Sequence, residues 1–169
     1  MVKMILSVAG SDRPGLTQAL ADMVYAAGGN WLESHLSRLG GKYVGSVLVE
    51  LDDDGIAALH AALGNADLIG LQVALVAAGD AVEPGGGTLK IDLVGQDRPG
   101  IVREVTAVLA RIGANIEDFD SRRENGSWSG ERLFRASLRL GLPAGMASDA
   151  VRDALEAISG EIMVDFTID

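Results

Sequence analysis

Cysteine is absent from the chain, which excludes disulfides, thiolate metal sites and cysteine nucleophiles at once. Histidine occurs only as His35 and His60, neither accompanied by a paired-carboxylate constellation, so both read as surface or edge residues rather than bases or ligands. No uncharged apolar run approaches the roughly 18 residues of a membrane span; the longest, Leu68 to Ala78, includes Gly70 and Gln72. A single Lys3, then only Met4 to Gly10 before Ser11-Asp12-Arg13, is too short for a signal peptide, and a cytoplasmic protein is expected. Basic residues are scarce as well: 14 Lys and Arg stand against 24 Asp and Glu, a formal charge of −10. Nonspecific affinity for nucleic acid comes mostly from cations neutralising phosphates, so direct nucleic-acid binding is not expected.

What remains is a globular composition. Of 169 residues, 48% are apolar and 22% charged, enough to build a real core. Charge divides evenly: residues 1–80 carry 4 basic and 9 acidic side chains, 81–169 carry 10 and 15, so each half is −5. That symmetry points to a repeat. An offset of 85 lays Gly10-Ser11-Asp12-Arg13-Pro14-Gly15-Leu16 on Gly95-Gln96-Asp97-Arg98-Pro99-Gly100-Ile101, and Gly28-Gly29-Asn30 on Gly113-Ala114-Asn115 without a gap. The seven identities between Gly10 and Asn30 fall on punctuation residues. Between them Leu16, Leu20, Met23, Val24 and Ala27 map onto Ile101, Val105, Val108, Leu109 and Ile112, the spacing of a helix that buries one face.

Each copy then reads from end to end in the same order. Leu89 to Leu93 alternates apolar and charged residues as a half-buried strand does, and Met4, Leu6 and Val8 hold the equivalent phase. A helix starts at the Asp-Arg-Pro-Gly turn and stops at Gly28 or Gly113. Strands follow over Trp31–Leu39 and Tyr43–Leu51, joined by Gly40-Gly41, and over Ile116–Glu124 and Leu133–Leu140, joined by a longer loop at 125–130 that includes Trp128. A second helix is marked by Ile56, Leu59 and Leu63 and by Val151, Ala154, Leu155 and Ile158; last strands cover Leu71–Ala78 and Ile162–Ile168. The linker runs from Gly79 to Gly87 and is expected to be flexible and exposed, giving domains at 1–79 and 88–169 separated by 80–87. The order βαββαβ predicts an α+β fold of two tandem ferredoxin-like units, each an antiparallel sheet covered on one face by two helices. The other sheet face needs a cover, and a homodimer is the expected solution for units this small.

The turn is the sharpest chemical signal. Pro14 and Pro99 preset φ for a first helical turn, and Asp12 and Asp97 are placed to accept from the amides of Gly15 and Gly100 as N-caps. A well-made helix start accounts for these residue types; so does an open cluster of backbone amides at the positive end of a helix, suited to a small carboxylate. Asn30 and Asn115 either satisfy a turn or face a pocket together with it. Asp52-Asp53-Asp54 before Gly55 reads as a solvated turn complementing a helix dipole rather than a metal cluster, and Arg122, Arg123, Arg132, Arg135 and Arg139 as a solvated strand face.

At the strand, D-R-P-G turn, helix and G-x-N positions the sequence resembles the ACT domain family, and its tandem form is similar to the glycine cleavage system transcriptional repressor group. The resemblance spans residues 1–169. It implies a non-enzymatic module without cofactor or metal that binds a small amino acid, glycine or serine, between paired domains and modulates a protein partner such as a transcription factor. The family's ligand positions fall on Asp12, Arg13, Pro14, Gly15 and Asn30, and on Asp97, Arg98, Pro99, Gly100 and Asn115. One departure is plain: serine-sensing members often place asparagine at the aspartate position and histidine two residues earlier, where this chain has Gly10 and Gly95. The alternatives are a structural dimerisation module without ligand and a cryptic hydrolase.

Overall fold

The computed structural model describes residues 1–64, 70–80, 85–125, 132–158 and 162–167, the last four by backbone alone. Trp128, part of the longer loop and Ile168 therefore lie outside the described residues. The chain divides into two compact units, Met1–Asp80 and Ala81–Asp169. The first runs β1 (Val2–Ser11), α1 (Leu16–Ala26), β2 (Asn30–Leu39), β3 (Lys42–Leu51), α2 (Asp53–Leu63) and β4 (Leu71–Ala77). The second repeats it as β5 (Thr88–Gln96), α3 (Ile101–Arg111), β6 (Asn115–Asn125), β7 (Arg132–Gly141), α4 (Ser148–Glu156) and β8 (Met163–Thr167). Each sheet is wholly antiparallel, in the orders β2-β3-β1-β4 and β6-β7-β5-β8. This is the ferredoxin-like arrangement, twice.

The cores follow the periodicities in the sequence. Met4, Leu6 and Val8 of β1 and Val47, Val49 and Leu51 of β3 meet Leu16, Leu20 and Val24 of α1, all buried. In the second unit Leu89, Ile91 and Leu93 meet Ile101, Val105, Val108 and Leu109. Two-residue alternation in the strands aims one face at the helices, and the 3.6-residue period of the helix returns the matching stripe. Both helices end as their glycines require. Gly28 and Gly113 adopt φ of 71° and 76°, and Gly29 and Ala114 donate back to the carbonyls of Val24 and Leu109. The β2–β3 hairpin turns on Gly40 and Gly41, both at positive φ. The repeat extends to irregularities: the register of β2 on β3 shifts between Trp31 and Glu33, and that of β6 on β7 between Ile116 and Asp118.

Two expectations change. Of the linker, residues 81–84 lie outside the described residues; Gly86 and Gly87 are exposed but tied down, because Gly86 N donates to Leu142 O (2.8 Å) and Leu142 N to Gly87 O (2.9 Å), prolonging the central β5–β7 ladder. The sheet faces away from the helices also differ. On the second, Glu124 accepts from Arg122 Nε (2.6 Å) and Arg135 Nε (3.1 Å), and Arg139 pairs with Glu117, so that face is suited to water and needs no cover. On the first, Ile5, Leu48 and Val76 stand level across β1, β3 and β4, followed by the smaller Ser7, Ser46 and Ala74 and then by Ala9, Val44 and Gln72, so much of that face is uncharged.

Candidate functional site

The turn between β1 and α1 is built differently from a side-chain cap. Gly15, at φ 89°, is itself the N-cap, and Gly100 repeats it at 92°. Their carbonyls accept the first helical bonds, from Ala19 N at 2.9 Å and Glu104 N at 3.0 Å. Neither Asp12 nor Asp97 caps the helix, contrary to the sequence expectation. The left-handed glycine turns the chain so that each carboxylate leaves the helix axis and meets an arginine of the second strand. Asp12 Oδ2 lies 3.0 Å from Arg38 Nε, and Asp97 Oδ2 3.3 Å from Arg123 Nη1. Pro14 and Pro99 stand two residues ahead of the first helical residue rather than within it. Among the described residues neither helix start carries a side-chain cap hydrogen bond, which leaves the positive end of α1 without a carboxylate in its first turn, while α3 has Glu104 there.

Arg38 and Arg123 are separated by the same 85 residues as the turns they serve. Continuing the self-alignment past Asn30 would have found them; read alone, Arg123 looked like part of a solvated basic face.

The two turns differ in their own arginine. Arg98 holds Glu104 in a two-pronged bond, Nη1 to Oε1 at 2.8 Å and Nη2 to Oε2 at 2.5 Å. That hydrogen bond, reinforced by charge, keeps the Glu104 carboxyl below its ordinary range. Ala19 occupies the corresponding place in the first copy, so Arg13 cannot make this pair.

Asn30 and Asn115 open β2 and β6, both exposed. Within a unit they do not meet the turn. Asn30 pairs with Glu50, which pairs with Lys3, eight residue steps along β1 from Ser11. At about 3.3 Å per step, that sets Asn30 roughly 26 Å from the turn end of the sheet. Asn115 stands level with Thr88 through Gly141, again eight steps from Gln96. Asn115 instead lines a concavity of about 560 Å³ on the flank of α3, beside Arg103, Thr106 and Ala110. Turn and asparagine of one unit therefore do not line a common pocket.

Elsewhere, Asp52 caps α2 by accepting from Gly55 N at 2.7 Å, with Asp53 and Asp54 in the first turn. Among the described residues no group of three or more His, Cys, Asp or Glu side chains converges as metal ligands, and no helix is long and apolar enough to cross a membrane. His35 is exposed and bonds Glu33 on its own strand at 3.1 Å.

Comparison with known proteins returns the same architecture. A crystal structure of an unknown protein from Galdieria sulphuraria superposes with a TM-score of 0.77 at 28% identity, covering 99% of each chain. A candidate glycine cleavage system transcriptional repressor superposes at 0.71 with 14% identity, covering 99% of this chain and 98% of that one, which at this identity speaks to the fold alone. A search of curated proteins finds no match. The ACT domain model matches residues 3–75 and again 88–123, spanning both copies of the turn, the helix and the glycine-to-asparagine step. With the βαββαβ order present twice, the chain belongs to the ACT domain family, as a tandem pair of ACT domains.

Proposed function

We propose that the chain is a non-enzymatic regulator that binds a small amino acid, glycine or serine foremost, where two ACT units pair, and passes the binding event to a protein partner such as a transcriptional regulator of amino-acid metabolism. Membership in the family indicates amino-acid-binding regulation. The observation that carries the finer reading is the duplicated turn: a left-handed glycine, an uncapped helix start and an Asp–Arg pair recur at one offset. An amino acid presents a carboxylate and an ammonium together. The helix-start amides near Gly15 and Gly100 suit the first, and the Asn30 and Asn115 side-chain carbonyls suit the second.

Because turn and asparagine lie at opposite ends of each unit, the reading takes a second copy of the unit, from another chain, whose strands run the opposite way, so that the turn of one copy comes beside the asparagine of the other. A homodimer of the tandem chain, in the cytoplasm, is the assembly proposed. In that assembly Asp12, Arg13, Pro14, Gly15 and Asn30 form one ligand set with Asp97, Arg98, Pro99, Gly100 and Asn115 as its repeat. Asp12 and Asp97 act by holding the turn through Arg38 and Arg123. A thermal-shift screen of the twenty amino acids tests the proposal. At about 100 times Kd a ligand adds roughly 2.7 kcal/mol, a shift of several degrees, and glycine or serine should produce it. No shift with any amino acid would leave a dimerisation module without ligand.

A further inference from the structure

We propose that the two turns are ligand sites of unequal strength, because Glu104 sets one of the chain's own carboxylates at the second turn, in competition with that of an incoming amino acid, and the first turn carries no such competitor. The inference rests on the amino-acid reading and adds to it which copy fills first.

The second turn shows the competitor directly. Arg98 donates from Nη1 to Glu104 Oε1 at 2.8 Å and from Nη2 to Oε2 at 2.5 Å, the paired geometry with which a guanidinium holds a carboxylate. Glu104 Oε1 also lies 3.8 Å from the place of a β-carbon on Gly100, the N-cap of α3, so the carboxylate stands beside the helix start itself. There it meets the positive end of the helix dipole as well.

The first turn differs at each of these points. Around the place of a β-carbon on Gly15 no heavy atom of the described residues lies within 4 Å. Ala19 stands where Glu104 does, α1 has no acidic residue in its first turn, and Arg13 is exposed where Arg98 is half-buried. The wall beside the helix start changes too. Thr17 Oγ1 and Tyr43 OH lie 2.6 Å apart, whereas the second unit has Val102 and a buried Phe134 at these positions. Hydroxyls and open space at one turn thus correspond to a carboxylate and apolar side chains at the other.

A carboxylate on the same helix competes at an effective concentration of about millimolar or above, so a free amino acid must displace Glu104 before it reaches Arg98. Affinity at the second turn falls by the fraction of time Arg98 is released.

Exchanging the two residues tests this. Amide NMR titrations of the full chain with glycine and with serine follow residues 15–17 and 100–102 separately. In the parent the first set should saturate at a concentration at least about threefold lower than the second. Glu104→Ala should tighten the second set at least about threefold without moving the first, and Ala19→Glu should weaken the first by a similar factor. Equal constants at the two turns of the parent, a second turn unmoved by Glu104→Ala, or a first turn unmoved by Ala19→Glu overturns the proposal and leaves the amino-acid reading standing. Saturable shifts at neither turn, in the parent or in Glu104→Ala, overturn both.

Discussion

Replacing Gly15 by alanine isolates what the left-handed turn contributes. A β-carbon added there meets no heavy atom within 4 Å, so the substitution introduces no collision. What remains is the backbone: at φ 89° an alanine sits where its β-carbon crowds its own chain, at a cost of about 1–2 kcal/mol. For a cooperative unit of about 80 residues, 1 kcal/mol lowers Tm by roughly 4–8 °C, so the first unit should melt about 5–15 °C earlier. Asparagine tolerates the left-handed region better, and Gly15→Asn should recover part of the loss. Gly100→Ala should act alike on the second unit, its β-carbon meeting only Glu104 Oε1 at 3.8 Å. Differential scanning calorimetry, with guanidinium unfolding as a second probe, reads the effect. An alanine variant as stable as the parent, or one no worse than the asparagine variant, would refute the argument that the turn's conformation demands glycine.

Gly10→Ala should be costlier still, because its backbone is ordinary but the β-carbon strikes the Gly70 carbonyl; a loss smaller than that of Gly15→Ala in the same melts would contradict the packing described. Double-mutant cycles on Asp12/Arg38 and Asp97/Arg123 should return favourable couplings of about 0.2–1 kcal/mol, as for ion pairs at a surface, and zero in both would deny the repeated contact. Arg98 holds Glu104, and Arg122 and Arg135 hold Glu124, below the ordinary carboxylate range. Their stabilising effect is complete above the unfolded-state pKa and is lost as pH falls through the lowered folded-state values, so acid should weaken the second unit below about pH 4.5. Glu104→Gln should blunt that dependence in denaturant titrations at stepped pH; an unchanged profile would mean the pair contributes nothing. Finally, duplex DNA should not bind the isolated protein at physiological salt, since −10 repels phosphate, and submicromolar, salt-sensitive binding would contradict this.

The fold was legible because burial leaves periodic traces. The i, i+4, i+7 spacing at Leu16, Leu20 and Met23, the alternation at Leu89 to Leu93 and the glycines at 28, 40 and 113 each record a local requirement that one sequence displays twice. The chemistry of the turn was less legible. Asp12 fits an N-cap by type and spacing, and only the φ of Gly15 shows that the chain turns the carboxylate toward Arg38 instead. The separation of Asn30 from its own turn is topological. It follows from β2 running parallel to β1 with an eleven-residue helix between, so residues close in sequence pattern end at opposite edges of the unit. Contrast between the two open sheet faces was also hidden, because it depends on which alternate residues of three paired strands stand together.

Isothermal titration calorimetry of glycine and serine against the parent chain and against folded Asn30→Ala/Asn115→Ala tests the account's central claim. The account predicts saturable binding of one of these amino acids to the parent, each asparagine contributing a charge-assisted hydrogen bond of roughly 1.5–3 kcal/mol, so that each single variant binds about tenfold or more weakly and the double variant not measurably. Unchanged affinity in a double variant of parental stability would leave the two asparagines as turn residues and the proposed paired sites without support.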